Sequence, residues 1–328
     1  MKILLIISPN PNVRKRIYKG ALLPPLGLAY IATVLEKAGH EVKIIDGYVL
    51  SAVNGYDFND LKRDIEREKP DIVGVTSMTS GIGLAKKTFD IVKSVSKEII
   101  TVLGGPHITA LPETLNSIKS IDYGIYGEGE YTMLELVDRL KNKKKLEGMN
   151  GLIWRDKGKL KYKTREYIKN IDDIPFPARH LLPMKLYRPS IANYRRLPAT
   201  AVMSSRGCPF GCVFCHKPIF GNTFRPHSVE RVIAEIEHLI KEYGIRDIQF
   251  YDDTFALDSK RVEGICNEII KRKLDIVWNC ATRVHTVNPK LLRLMKRAGC
   301  YEIAYGVESG SERILKMINK GITKDMAS

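Results

Sequence analysis

Arg206-Gly207-Cys208-Pro209-Phe210-Gly211-Cys212-Val213-Phe214-Cys215-His216 places three of the chain's six cysteines within eight residues, spaced C-x3-C-x2-C. Three thiolates on one loop can grip one metal centre. A zinc site made only of protein ligands normally takes four, and an iron–sulfur cube is usually held by four cysteines, so three leave one corner for a substrate or cofactor. The spacing differs from the C-x2-C pairs of zinc ribbons and thioredoxin-like redox loops, and from the cysteine runs of bacterial ferredoxins. Cys266, Cys280 and Cys300 stand apart in apolar or strand contexts and read as core residues.

The chain around this loop, from residue 199 to 328, alternates strands and helices. Apolar runs at 201–204, 248–251, 277–281 and 302–306 predict strands, and apolar spacing over 228–243, 258–272 and 289–297 predicts helices. Ser228 opens the first helix and Pro289 sits in the first turn of the third. Each loop after a strand carries the polar residues, as in a βα barrel whose chemistry lies at the carboxyl ends of its strands.

The cysteine loop resembles the signature of the radical S-adenosylmethionine (SAM) enzymes, which also prefer an aromatic residue just before the third cysteine, here Phe214. The resemblance implies a four-iron four-sulfur cluster held by Cys208, Cys212 and Cys215, with the fourth iron chelating the amino and carboxylate groups of SAM. One electron from the cluster then cleaves SAM to a 5′-deoxyadenosyl radical. It implies a partial barrel of six βα units with the cluster loop after the first strand. Phe214, Asp252 and Asp253 would face SAM, the aspartates meeting its amino group. Arg283, and Glu308 and Ser309 in Gly306-Val307-Glu308-Ser309-Gly310, occupy places where relatives bind the ribose or methionyl end. A plain helix cap is the other reading of the aspartates. Only four strands follow residue 199, whereas six units at roughly 30 residues each need about 200. The expectation is a truncated barrel in a chain that is a fragment.

Residues 1–141 read as a doubly wound parallel sheet. Strands are expected at 3–7, 41–45, 72–76, 99–103 and 123–126, and helices at 26–37, 60–68, 83–94, 110–117 and 131–140. Ligands of such sheets bind beyond the carboxyl ends of the strands. The loops there are Ser8-Pro9-Asn10, Thr76-Ser77-Met78-Thr79, Gly104-Gly105-Pro106-His107 and Gly127-Glu128-Gly129-Glu130. Paired glycines let backbone approach a flat ligand with no Cβ in the way. This arrangement resembles the flavodoxin-like, Rossmann-like cobalamin-binding domain, with a Ser after the third strand and Gly-Gly after the fourth. The resemblance implies that Ser77, Thr79, Gly104, Gly105, Gly127 and Gly129 line a cobalamin site. Domains that place a histidine under the cobalt carry D-x-H-x-x-G in the first strand-to-helix loop. With Gly27 as that glycine, Leu22 and Pro24 fill the Asp and His positions, so no imidazole comes from that loop. His107 is open to two readings, beside the corrin or structural.

Residues 142–198 read as a linker. Asp156-Lys157-Gly158-Lys159 between two strand-like runs signals a β-hairpin, and the prolines at 175, 177, 183, 189 and 198 forbid a long helix.

The length of 328 residues supports two domains. Apolar content of 44% and charged content of 27% are those of a globular protein. No apolar run reaches the roughly 18 residues of a membrane span, and the start shows no signal-peptide pattern, so a cytoplasmic protein is expected. The net charge of +16 is spread over helix faces and the 141–145 run. No basic strip interleaved with aromatics accompanies it, which disfavours nucleic acid as substrate. The expected function is a radical SAM enzyme with cobalamin that methylates an unactivated carbon of a small molecule. Its electrons would come from a donor such as a ferredoxin or flavodoxin. The alternatives are an oxidative cyclase or rearrangement enzyme, or a cobalamin-free radical SAM enzyme acting on RNA or protein.

Overall fold

The computed structural model describes residues 1–13 and 22–327. It forms two compact units, Met1–Ile168 with Ile174–Leu186, and Lys169–Asp173 with Tyr187–Ser328.

The first unit is built on strands β1 (Lys2–Ile7), β2 (Glu41–Asp46), β3 (Ile72–Thr76), β4 (Ile100–Gly104) and β5 (Tyr123–Ile125), all parallel and in the order β2-β1-β3-β4-β5. Helices α1 (Leu26–Lys37), α2 (Gly47–Asn54), α3 (Phe58–Glu68), α4 (Ile82–Val95), α5 (Pro106–Ala110), α6 (Thr114–Ser117) and α7 (Glu130–Lys141) connect them. Alternation along β1 shows why the strands read as unbroken apolar runs. Leu4 and Ile6 pack with Leu61, Ile65 and Phe89 of α3 and α4, while Ile3 and Leu5 pack with Leu28, Leu35 and Leu136 of α1 and α7. Both faces of β1 are covered, so neither of its sides is polar.

Three features differ from the sequence reading, the first two for local reasons. The helix expected over 110–117 is two short helices, because Pro112 lacks an N–H and keeps Leu111, at φ −132° and ψ 71°, out of the helical conformation. The unforeseen helix α2 is started by Asp46, whose carboxylate accepts from the backbone N–H groups of Tyr48 and Val49 at 3.1 Å each. The hairpin is no part of a linker: β6 (Leu152–Asp156) pairs antiparallel with β5, and β7 (Lys159–Tyr162) with β6, extending the sheet to seven strands.

In the second unit, β8 (Ala199–Val202) is followed by the two-residue strands β9 (Ser205–Arg206) and β10 (Arg225–Pro226), an antiparallel pair. Then come α8 (Val229–Tyr243), β11 (Asp247–Phe250), α9 (Ser259–Lys271), β12 (Val277–Thr282), α10 (Pro289–Arg297), β13 (Cys300–Tyr305), α11 (Glu312–Met317) and α12 (Lys324–Ala327). The main sheet is parallel, in the order β13-β12-β11-β8. Ser228 accepts from the Arg231 N–H at 3.1 Å to start α8, and Gly244 ends that helix in the left-handed conformation. Asn288 caps α10 with Pro289 just inside it. The helices bury one face of the sheet around Trp278, Phe250 and Phe255.

Cys266 and Cys280 lie in this core and Cys300 packs against it. Burial pushes the Cys266 thiol up to about 12. No helix among the described residues is long and apolar enough to cross a membrane.

Candidate cofactor sites

In the first unit the loops beyond β3 and β4 are laced together. The Ser77 N–H donates to the Gly104 carbonyl at 3.2 Å, and the His107 N–H to the Ser77 carbonyl at 3.0 Å. Thr109 extends the lacing, donating to the Gly105 carbonyl at 2.9 Å and accepting from the Gly127 N–H at 3.1 Å. The two adjacent glycines have different reasons to be glycine. Gly105 has φ of 92°, and a Cβ there would lie 2.4 Å from the Thr76 hydroxyl. At Gly104 a Cβ would meet nothing within 4 Å, so its absence leaves bare backbone facing open space. Gly129 differs from both, since a Cβ there would strike the Ile31 side chain at 2.9 Å; its contact is helix packing.

The Ser77 hydroxyl donates to the Met78 carbonyl at 2.8 Å. His107 is buried, with Nδ1 3.1 Å from the Thr79 hydroxyl and Nε2 2.8 Å from the Thr114 hydroxyl. Burial lowers its pKa and keeps the ring neutral. Both nitrogens are engaged, which favours the structural reading of this residue. The open face at Gly104, flanked by Ser77 and Thr79, fits a ligand that must lie against bare backbone, as a corrin's nucleotide tail does.

In the second unit, β9 and β10 close the base of the cysteine loop. Only glycine fits at 207: its φ is 82°, and a Cβ would come within 2.3 Å of the Thr223 carbonyl oxygen. The loop is then held from three sides. Asp253 accepts from the Gly207 N–H at 3.1 Å, and the Cys208 thiol lies 3.7 Å from the Thr254 hydroxyl. Arg283 donates to the Cys212 sulfur at 3.3 Å while its guanidinium lies 3.9 Å from the Phe210 ring centre. The turn after α11 supplies the third side. There the Ile318 carbonyl accepts from the Val213 N–H at 3.1 Å, and the Asn319 amide donates to the Gly211 carbonyl at 3.0 Å. Phe214 and Cys215 are left exposed at the tip.

The other residues proposed for SAM divide by what they touch. Asp252 is buried and committed: it accepts from the Ser204 N–H at 2.7 Å and from the Ser204 and Ser205 hydroxyls at 2.6 Å each. Asp253 has a raised pKa, caused first by burial and opposed by the Gly207 N–H. The Ser309 hydroxyl accepts from the Ser311 N–H at 3.1 Å within its own turn. Glu308 holds a left-handed backbone with φ of 71°, unusual for a residue with a side chain, and pairs with the Lys320 ammonium at 3.0 Å. Lys320 is buried and lies 5.7 Å from the Phe214 ring centre.

Lys320 and Asn319 were not legible in the sequence. A lysine between Asn and Gly reads as a solvated turn, because lysine is almost never buried unless paired. Its one cue is that an acidic partner stands twelve residues earlier, at Glu308.

The donor set fits a thiolate-held cluster. Among the described residues no three His, Cys, Asp or Glu side chains converge tightly enough for a single ion. Cysteines that bind separate corners of a cube need not converge. Arg283 is buried, and its Nε and Nη2 have no partner among the described residues. With Lys320 it supplies positive charge that an anionic cluster, or a carboxylate bound to it, would satisfy.

Two α/β units, one with a bare-backbone ligand face and one with a three-thiol loop beyond its first strand, define a protein of two cofactors. A B12 binding domain matches residues 19–137 and the radical SAM superfamily matches residues 202–327. An uncharacterized methyltransferase of Pyrococcus horikoshii is 44% identical, over 98% of this chain and 69% of its own length. The anaerobic magnesium-protoporphyrin IX monomethyl ester cyclase of Rubrivivax gelatinosus is 33% identical, over 92% of this chain and 54% of its own. The cobalamin-dependent SAM radical enzyme OxsB, solved with aqua-cobalamin and SAM, superposes with a TM-score of 0.84 at 24% identity, over 99% of this chain and 46% of that one. The chain thus spans between about half and two thirds of the length of these relatives. It belongs to the family of radical SAM proteins that carry a B12-binding domain. The cofactors of that family are the four-iron four-sulfur cluster, SAM and cobalamin.

Proposed function

We propose that this protein is a cobalamin-dependent radical SAM methyltransferase acting on an unactivated carbon of a small molecule. The observation that carries the reading is the presence, in one chain, of the three-thiol loop with its buried cations and the bare Gly104 face. The 44% identical relative named as a methyltransferase supports it. When bound, the cluster and SAM supply a 5′-deoxyadenosyl radical and cobalamin supplies the methyl group.

The chain's own residues bind and orient. Cys208, Cys212 and Cys215 hold the cluster. Phe214 lies beside Lys320, whose ammonium holds Glu308 in place for the SAM amino group and, with Arg283, would suit the SAM carboxylate. Asp253 complements the SAM amino group. Asp252 acts behind it, fixing Ser204 and Ser205 at the root of the loop. Ser309 shapes the turn that carries Glu308. Ser77, Thr79, Gly104, Gly105 and Gly127 form the corrin-facing surface, with His107 behind Thr79. The electron comes from a one-electron donor such as a ferredoxin or flavodoxin, and the protein works in the cytoplasm.

The test is anaerobic reconstitution with iron, sulfide and hydroxocobalamin, desalting, then addition of SAM and dithionite. Expected are stoichiometric corrin and iron–sulfur absorption bands, 5′-deoxyadenosine, and methylcobalamin labelled from methyl-labelled SAM. Cluster bands without retained corrin would overturn the cobalamin assignment. Both cofactors bound with no label reaching cobalamin would favour cyclisation or rearrangement over methyl transfer.

A further inference from the structure

Arg283 stands after the third strand of the second unit, yet the group it touches is neither a carboxylate nor a hydroxyl. Its Nη1 donates to the Cys212 sulfur at 3.3 Å, across a sequence separation of 71 residues. The guanidinium plane is fixed by the Phe210 ring, whose centre lies 3.9 Å away, and Phe210 in turn meets His285 edge-on at 5.2 Å. The residue is only 5% exposed, so its charge is shielded little by solvent. Neither Nε nor Nη2 has a hydrogen-bond partner among the described residues. A buried guanidinium without a carboxylate partner is costly, and a negatively charged group beside it offsets the cost.

We infer that Arg283 is a positioning residue of the cluster itself: it fixes the Cys212 sulfur and raises the cluster's reduction potential. Hydrogen bonds to ligand sulfurs and net charge nearby are among the factors that set iron–sulfur potentials. Reduction adds one negative charge to the cluster and makes or breaks no bond, so a fixed positive charge at one ligand favours the reduced form. Arg283 therefore eases entry of the electron on which SAM cleavage depends. The residue acts on the thiolate first, and the ribose or methionyl end of SAM is not its principal partner. This inference rests on the cluster assignment made above.

The test compares wild type, Arg283→Lys and Arg283→Gln in the full chain, reconstituted anaerobically, with iron and sulfide counted. Each is titrated with dithionite through redox mediators and followed by electron paramagnetic resonance, first without SAM and then with it. Full iron content in all three is expected. For Arg283→Gln the reduced-to-oxidised ratio at a fixed potential falls about tenfold before any SAM is added, a shift of 59 mV for one electron. Arg283→Lys, which keeps the charge and loses the planar stack, falls between. Titration of both variants with the wild type would overturn the inference, and so would a shift that appears only once SAM is present. Loss of iron from both variants would assign Arg283 to loop assembly and overturn it too. Wild type that takes up no cluster would instead sink the proposed function.

Discussion

The ligand loops of the two units are held by opposite means. In the first unit the loops after β3, β4 and β5 are tied mostly through main chain and short hydroxyl side chains: Ser77 to Gly104, His107 to Ser77, Thr109 to Gly105 and Gly127. In the second, the cysteine loop is held at Gly207, Gly211, Cys212 and Val213 by groups from 46 to 108 residues further along the chain. A surface tied by its own backbone is complete once its strands pair. A loop tied by distant carboxylate, guanidinium and amide groups depends on several later elements docking first, and the buried Arg283 beside it keeps two guanidinium nitrogens without a hydrogen-bond partner among the described residues, which an anionic centre on the thiolates would satisfy. The first unit thus offers a preformed face, and the second a site that its cofactor completes.

The hardest test of this contrast removes the thiols. Replacing Cys208, Cys212 and Cys215 by Ala should abolish the iron–sulfur absorption and leave corrin binding by the first unit unchanged, read from visible spectra after anaerobic reconstitution. If corrin retention falls in parallel with iron, the two faces are not independent.

Next in size is the pair of adjacent glycines. Gly105→Ala forces a side chain into the left-handed region and against the Thr76 hydroxyl, and should destabilise the protein by about 1–3 kcal/mol in denaturant titrations. Gly104→Ala places its methyl in open space and should leave stability within about 0.5 kcal/mol, while Gly104→Phe should weaken corrin binding at least about tenfold, or 1.4 kcal/mol. Equal stability losses at both positions, with corrin binding untouched by Phe, would mean that Gly104 is only a turn residue.

In the second unit the corresponding substitution is Lys320→Met, which leaves Glu308 in its left-handed backbone without an ion pair. Cluster content should hold while SAM affinity, measured by equilibrium dialysis, falls about tenfold, 1.4 kcal/mol. Lys320→Arg should restore part of it. Unchanged SAM affinity in Lys320→Met would make the pair a structural tie.

How much of this was legible follows the same contrast. The parallel sheet, its loop positions, the cap at Ser228 and Pro289 in a first turn are local patterns, and they lie where the periodicity put them. The three cysteines and the bare glycines are local too. What escaped was decided at long range. The hairpin is written in Asp156-Lys157-Gly158-Lys159, but that it would pair with β5 is not. Asp252 and Asp253 look alike in sequence. One is saturated by Ser204 and Ser205 and the other keeps a single backbone donor, a difference fixed by which strand lies opposite. The resemblance gives Arg283 to the ribose or methionyl end of SAM, and only the fold sets it on Cys212.

The smallest expected effect separates the two units by pH. His107 ties Thr79 to Thr114 through both ring nitrogens, an arrangement that suits the neutral ring, and burial lowers its pKa. The sign follows from linkage. Above the unfolded value of about 6.5 both folded and unfolded rings are neutral, and the stabilisation is whole. As the pH falls below that value the unfolded chain takes up a proton that the folded one resists, so stability is lost progressively until the pH has passed through the lowered folded value. His40, His227 and His285 are shifted in the same direction, so the informative quantity is a difference. His107→Gln should cost stability near about pH 7.5 yet lose less of what remains on going to about pH 5.5 than the wild type does, with corrin binding following the same difference. Cluster absorption at the two pH values should not distinguish the variants, because His107 belongs to the face that is complete without the cluster. Identical pH slopes in the two proteins would show that Thr79 and Thr114 hold the loop without help from the imidazole.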